Sequence, residues 1–150
     1  MADDTEATIA VSVTETPLDV AAAITAVSGP EIGGIGVFVG TVRDSSSVAT
    51  NSDKAVLALD YDSHPSLAEP RLRAIASEAA TKWDLRRVVA IHRSGHCELG
   101  DPTVVVAAGA PHRADALEAC RWIIDTIKTT VPIWKREAYA DGSSWVGDNA

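Results

Sequence analysis

Ala114-Asp115-Ala116-Leu117-Glu118-Ala119-Cys120-Arg121-Trp122-Ile123-Ile124-Asp125-Thr126-Ile127-Lys128-Thr129 runs through Thr130-Val131-Pro132 into Ile133-Trp134-Lys135-Arg136-Glu137-Ala138-Tyr139, and the hydrophobic period changes at the proline. Before it, Leu117, Cys120, Ile124 and Ile127 recur at helical spacing, which predicts one apolar stripe. Glu118, Arg121, Asp125 and Lys128 form the predicted polar face. Pro132 lacks the backbone N–H that a continuing helix needs, so the helix is expected to end there. From Ile133 the pattern alternates as in a strand. Ile133, Lys135, Glu137 and Tyr139 fall on one face, Trp134 and Arg136 on the other. Because the chain turns back between Lys128 and Lys135, both amines can face one pocket.

Working outward, Pro102–Ala108 and Arg87–His92 read as strands, separated by turn-rich Gly95–Asp101. Ser66-Leu67-Ala68-Glu69 has capping-box spacing and predicts a helix to about Trp83, with Pro70 tolerated near its first turn. Lys54–Tyr61 has strand character. Asp44–Asp53 is rich in Ser, Asn and Asp, lacks periodicity and is expected to be a mobile loop. Gly33–Gly40 reads as a strand whose glycines permit close backbone approach. Thr16-Pro17 looks like a cap and first residue of a helix through Val27, and Thr8–Val13 is an alternating strand. Strand, helix, two strands, helix, two strands, helix, strand is an α+β order, without the strict alternation of a doubly wound sheet.

Length and charge narrow the function. A chain of 150 residues is the size of one domain. No apolar run approaches the length of a membrane helix, and the acidic N-terminus lacks the features of a signal peptide. Two cysteines, Cys97 and Cys120, make no disulfide framework, so a cytoplasmic protein is expected. A net charge of −8 argues against nucleic acid. The charge is uneven: residues 1–42 hold six acids and no Lys or Arg (−6), and the rest hold 13 basic residues against 15 acids (−2). An anion site is therefore expected after residue 42.

The basic residues that stand out are His112, Arg113, Lys128, Lys135 and Arg136. Lys128 can equally complement its helix dipole and pair with Asp125, and Lys135 can be an ordinary edge-strand charge. Clustered together, the lysines would lose part of their preference for the charged form, which suits proton transfer or nucleophilic attack. A Schiff-base lyase acting on a phosphorylated carbonyl compound and a non-catalytic docking module both remain open on these residues alone. His92, His96, Cys97 and His112 match no zinc spacing, and a metal site is not expected. Gly33-Gly34-Ile35-Gly36 lacks the Lys-Ser/Thr of a phosphate loop.

Phe38-Val39-Gly40-Thr41-Val42-Arg43-Asp44, His92-Arg93-Ser94-Gly95, His112-Arg113-Ala114, Lys128 and Pro132-Ile133-Trp134-Lys135-Arg136-Glu137, closing with Asp141-Gly142 and Trp145-Val146, resemble the large catalytic subunit of molybdopterin synthase. The resemblance runs in order from about residue 8 to 146, and the Pro-Ile-Trp-Lys-Arg-Glu block is its most specific part. It implies an α+β fold of the hammerhead type. Arg43, His112, Arg113, Lys128, Lys135 and Glu137 would line the substrate pocket, with Arg136 counted beside them and Lys128 and Lys135 as the catalytic pair. It further implies a central homodimer within a 2:2 heterotetramer. The partner would be a small ubiquitin-like sulfur carrier ending in a Gly-Gly thiocarboxylate, and the substrate cyclic pyranopterin monophosphate. Neither metal nor redox cofactor is implied. Asp62 stands where the family often has Glu, Leu117 where Phe is common and Asp101 where Glu is common, and the Ser-rich loop after Arg43 is unusually long.

Overall fold

Pro102–Ala110 is buried along almost its whole length, so this strand needs cover on both faces, and the molecule is layered around it. The computed structural model describes residues 6–45 and 55–148. In chain order the elements are β1 (Thr8–Thr14), α1 (Val20–Ala26), β2 (Gly34–Thr41), β3 (Val56–Ser63), α2 (Pro65–Lys82) and β4 (Arg87–Arg93). They continue with β5 (Gly95–Glu98), β6 (Pro102–Ala110), α3 (Arg113–Thr130), β7 (Ile133–Tyr139) and β8 (Ser144–Asp148). One sheet has the order β1-β4-β6-β2, with β1 parallel to β4 and the other pairs antiparallel. The second, β5-β3-β7-β8, is antiparallel throughout. The α+β class with three helices is as expected.

Alternation along β6 divides the interior. Val104, Val106, Ala108 and Ala110 join the main core with α2, α3 and the inner face of the second sheet. Val105 and Ala107 turn the other way, against Ala23 and Val27 from the α1 side and Val89 of β4.

Helix α3 buries Cys120, Ile124 and Ile127 of the stripe the spacing predicts and turns out its fourth member, Leu117. It buries Ala116, Ala119, Cys120, Ile123, Ile124 and Ile127, whereas Leu117 is 58% exposed. The reason lies in β2. A Cβ on Gly36 would collide with the Ala116 carbonyl oxygen and crowd Cys120. At so close an approach only small residues fit beneath the first half of the helix, and leucine is turned out.

Other expectations are corrected by local hydrogen bonding. α1 is capped by Asp19, whose Oδ1 accepts the Ala22 N–H at 3.0 Å. Thr16 instead pairs its hydroxyl with that of Thr14. α2 starts at Pro65, one residue before the expected box, with His64 at the cap position and no side-chain cap. Proline suits that first position because it has no N–H to leave unpaired. Glu69 is thereby free of capping, and its Oε1 accepts the Val13 N–H at 3.0 Å. Two strands escaped the pattern: β5, inside the stretch read as turns, and β8, beyond the strand expected to be last. Both are short edge strands with little alternation to read. Of the expected Asp44–Asp53 loop, Ser45 forms an isolated bridge with Ala55, and residues 46–53 lie outside the described residues.

Gly36→Ala should therefore destabilise the protein by about 1–3 kcal/mol through overpacking, lowering Tm by roughly 2–10 °C. Calorimetry checks this, and an unchanged Tm would show that α3 can lift off β2 freely.

Candidate functional site: a cationic cleft between the sheets

The sheets diverge around a cleft of about 450 Å³, with walls drawn from five elements and one loop. β2 contributes Phe38 and Gly40 just before its register shift between Gly40 and Thr41, and Arg43 follows once Val42 has been buried. β3 brings Leu59 and Tyr61, β6 brings Thr103, and the last turn of α3 brings Lys128. β7 adds Lys135 and Glu137, whose alternation turns both side chains inward. Lys135 lies directly opposite Tyr61, and Glu137 opposite Leu59.

Three cations and one carboxylate thus face a single space. Lys128 is not on a solvated face. Burial, then the like charges of Lys135 and Arg43, hold its ammonium below the ordinary lysine range. Glu137 is buried and accepts a hydrogen bond from the Tyr139 hydroxyl at 3.3 Å. Burial pushes the Tyr61 phenol up to about 12, against the opposing pull of its hydrogen bond with Thr103.

Next to Tyr61 sits His92, 1% exposed, in edge contact with the phenol ring at 5.0 Å between centroids. Its Nδ1 lies 2.7 Å from the Arg93 carbonyl oxygen. A carbonyl only accepts, so Nδ1 carries the proton and Nε2, which has no partner, is an unprotonated acceptor. Burial, opposed by that bond and assisted by the Lys128 charge, lowers the imidazole pKa to about 4.

The remaining residues singled out in the sequence lie elsewhere. His112 and Arg113 are exposed at the opposite end of α3 from Lys128, about 22 Å away at 1.5 Å per residue. Within one chain they do not meet the lysines. Arg136 lines a shallow groove on the outer face of the second sheet with Trp134, Asp60, Asp62 and Val146. Exposed His96 lies between Glu98 and Asp60, whose hydrogen bonds raise its pKa. Among the described residues no group of three or more His, Cys, Asp or Glu side chains is placed to hold a metal, and no helix is long and apolar enough to cross a membrane. Tyr61 and Thr103 are cleft residues the sequence reading did not single out. Tyr61 was detectable in principle, as the inward residue paired with Lys135.

A two-sheet α+β domain with lysines converging beside a buried carboxylate is the framework of an enzyme subunit that handles small anions. Comparison with known proteins makes that class specific. The family model described as "MoaE protein" matches residues 13–130. Molybdopterin synthase catalytic subunit 1 of Mycobacterium tuberculosis is 43% identical over 135 residues, covering 90% of this chain and 88% of that protein. The crystal structure of molybdopterin synthase from Staphylococcus aureus superposes with a TM-score of 0.82 at 28% identity, covering 91% of this chain and 95% of that one. A complex of subunits 1 and 2 of molybdopterin-converting factor from Helicobacter pylori shares the fold, with a TM-score of 0.68 at 20% identity over 89% of this chain and 86% of that one. The chain belongs to the MoaE protein family.

The buried imidazole sets a pH dependence of stability. Unfolded, His92 takes up a proton below its ordinary value of 6.5, while folded it resists until about 4. Its contribution is therefore complete above 6.5 and is lost as the pH falls towards 4, on the order of 3 kcal/mol in all. Urea denaturation between pH 7 and 4 should show this loss, reduced in His92→Gln. Equal pH slopes in the two proteins would mean that the imidazole is charged in the fold.

Proposed function

We propose that the cleft is the catalytic pocket of a molybdopterin synthase large subunit, in which sulfur passes from a carrier's C-terminal thiocarboxylate to cyclic pyranopterin monophosphate, giving the molybdopterin dithiolene. The observation that carries the reading is the convergence of Lys128, Lys135 and Arg43 beside buried Glu137 in one cleft of an otherwise acidic protein. The names of its relatives point to the same reaction. Lys128 and Lys135 are the catalytic pair. Fixed ammonium groups stabilise the oxyanions formed as sulfur moves, and the lowered pKa of Lys128 eases the release of its proton. Arg43 holds phosphate or carboxylate, and Glu137 orients the lysines. The sulfur arrives already activated, so the residues present suffice for this chemistry. The whole chain acts as one cytoplasmic domain.

His112 and Arg113 complete the pocket from a second copy. β2 is an open sheet edge, with Val37 and Phe38 more than a third exposed. Antiparallel pairing of β2 with its counterpart across a two-fold axis sets the start of one strand against the end of the other. The start lies against α3, where a Cβ on Gly34 would come within 3.1 Å of the Arg113 Cα, and the end leads to Arg43. Such pairing delivers the partner's basic residues to this cleft. A small ubiquitin-like carrier with a Gly-Gly tail then completes a 2:2 assembly, and that a second subunit is involved accords with the complex of subunits 1 and 2 from Helicobacter pylori.

Incubation with thiocarboxylated carrier and cyclic pyranopterin monophosphate, followed by a molybdopterin assay, tests the reaction. Lys128→Ala and Lys135→Ala should each lower turnover by about 100- to 1,000-fold with little change in Tm. Near-normal synthesis by both variants would sink the assignment.

The shared pocket has its own test. Lys128→Ala and Arg113→Ala chains, inactive alone, should regain activity when mixed and allowed to exchange subunits, because one of the two pockets in each hybrid then has both residues. No recovery in verified hybrids would place Arg113 outside the partner's pocket.

A further inference from the structure

The charges of the cleft account for attraction to an anion, and a neutral donor beside them would add a directed hydrogen bond. Among the described lining residues only Thr41, Tyr61 and Thr103 offer neutral hydroxyls. Tyr61 is the one held from several sides. It is 6% exposed, anchored in the middle of β3 opposite Lys135, and its ring is clamped edge-on by His92 at an interplanar angle of 78°. Its hydroxyl is hydrogen-bonded with Thr103, itself 3% exposed, and lies within electrostatic reach of Glu137. Both neighbours line the cleft, so the polar end of the phenol is at the cavity and the apolar ring is in the core.

We infer that the Tyr61 hydroxyl is a catalytic hydrogen-bond donor, aimed at the oxyanion that forms on the carrier's terminal acyl group. The inference rests on the sulfur-transfer reading above. Once sulfur bridges carrier and pterin, freeing the carrier requires a water oxygen to add to the acyl carbon and the carbon–sulfur bond to break. The carrier leaves as a carboxylate bearing that oxygen, the sulfur stays on the pterin as a thiol, and the second proton goes to solvent. Nothing is oxidised or reduced. Between the two events the acyl oxygen carries a full negative charge, and a donor fixed in advance stabilises that charge without reorganising. Tyr61 makes and breaks no covalent bond. Burial raises its pKa to about 12, so it remains a donor across the neutral range.

Thr103 is a positioning residue: its hydroxyl donates to the phenol oxygen, which holds that oxygen in place and leaves the phenol O–H available to the cleft. A purely structural role predicts something else. If the phenol serves only to satisfy Thr103, its loss leaves a buried hydroxyl unpaired and is felt in stability, not in rate.

Tyr61→Phe removes one oxygen and keeps the ring against His92. With carrier and cyclic pyranopterin monophosphate, kcat should fall about 100-fold, with KM within twofold of wild type and only the small Tm decrease that an unpaired Thr103 hydroxyl costs. The reduction should be the same from pH 6 to 9, because a neutral donor does not titrate there. Thr103→Val, which keeps the phenol but no longer holds its oxygen in place, should lower kcat less, by about tenfold, again without moving KM. Wild-type kcat in Tyr61→Phe, a loss confined to Tm, or a rate reduction that varies with pH would overturn the inference. A wild-type protein that makes no molybdopterin in the parallel reaction would overturn the functional reading and this inference with it.

Discussion

Between Gly36 of β2 and Ala116 of α3 there is no space for a methyl group, and much of the layout follows from that contact. Backbone packed directly on backbone fixes the height and rotation of the helix over the sheet. The rotation buries the face from Ala116 to Ile127 and turns Leu117 out to solvent. At the far end of the same helix it carries Lys128 into the cleft instead of leaving it among the solvated charges of Arg121 and Asp125. Close packing near the start of this 18-residue helix and burial of Ile123, Ile124 and Ile127 near its end together set where Lys128 is placed.

The cleft concentrates positive charge on a protein whose net charge is −8. That contrast has two consequences. Local positive charge at the cleft favours an anion there despite the negative net charge. Within the cleft, partial burial and mutual repulsion weaken the hold of Lys128 on its proton, which is the direction that favours proton exchange. Glu137, buried between the lysines and the core, keeps the cluster from being a bare accumulation of like charge. Tyr61 in the wall is a phenol that holds its proton, and His92, packed against that ring, is an imidazole that refuses one.

The same region carries an energetic cost. His92 Nε2 and Arg93 Nε are buried without partners, although Arg93 donates through Nη2 to the His96 carbonyl oxygen at 2.7 Å. Unpaired buried polar atoms destabilise the fold, and here the large apolar core beside them offsets the cost. Polar groups held rigidly beside a cavity need not reorganise when charge appears there, which is the structural condition for electrostatic catalysis.

Much of this was legible in the chain itself. The change of period at Pro132, the opposed faces of Ile133–Tyr139 and the glycines of β2 are local signals, and each element formed where its signal lay. The Pro-Ile-Trp-Lys-Arg-Glu block identified the family before any coordinate. Edge strands β5 and β8 were not legible, because a short strand with one face in solvent need not alternate. The cap of α1 was misplaced because Thr16 and Asp19 are both competent caps, and only the path of the chain chooses between them. Convergence lay further out of reach. That Tyr61 stands beside Lys135 depends on the β3–β7 register, that Lys128 enters the cleft depends on how α3 packs across the sheets, and that His112 and Arg113 do not reach it depends on the length of α3. Sequence by itself determined the elements, their faces and the inventory of reactive groups, since those follow from spacing along the chain. Tertiary structure alone decided which of those groups share a space, because contacts between distant segments are set by packing, and packing is not periodic.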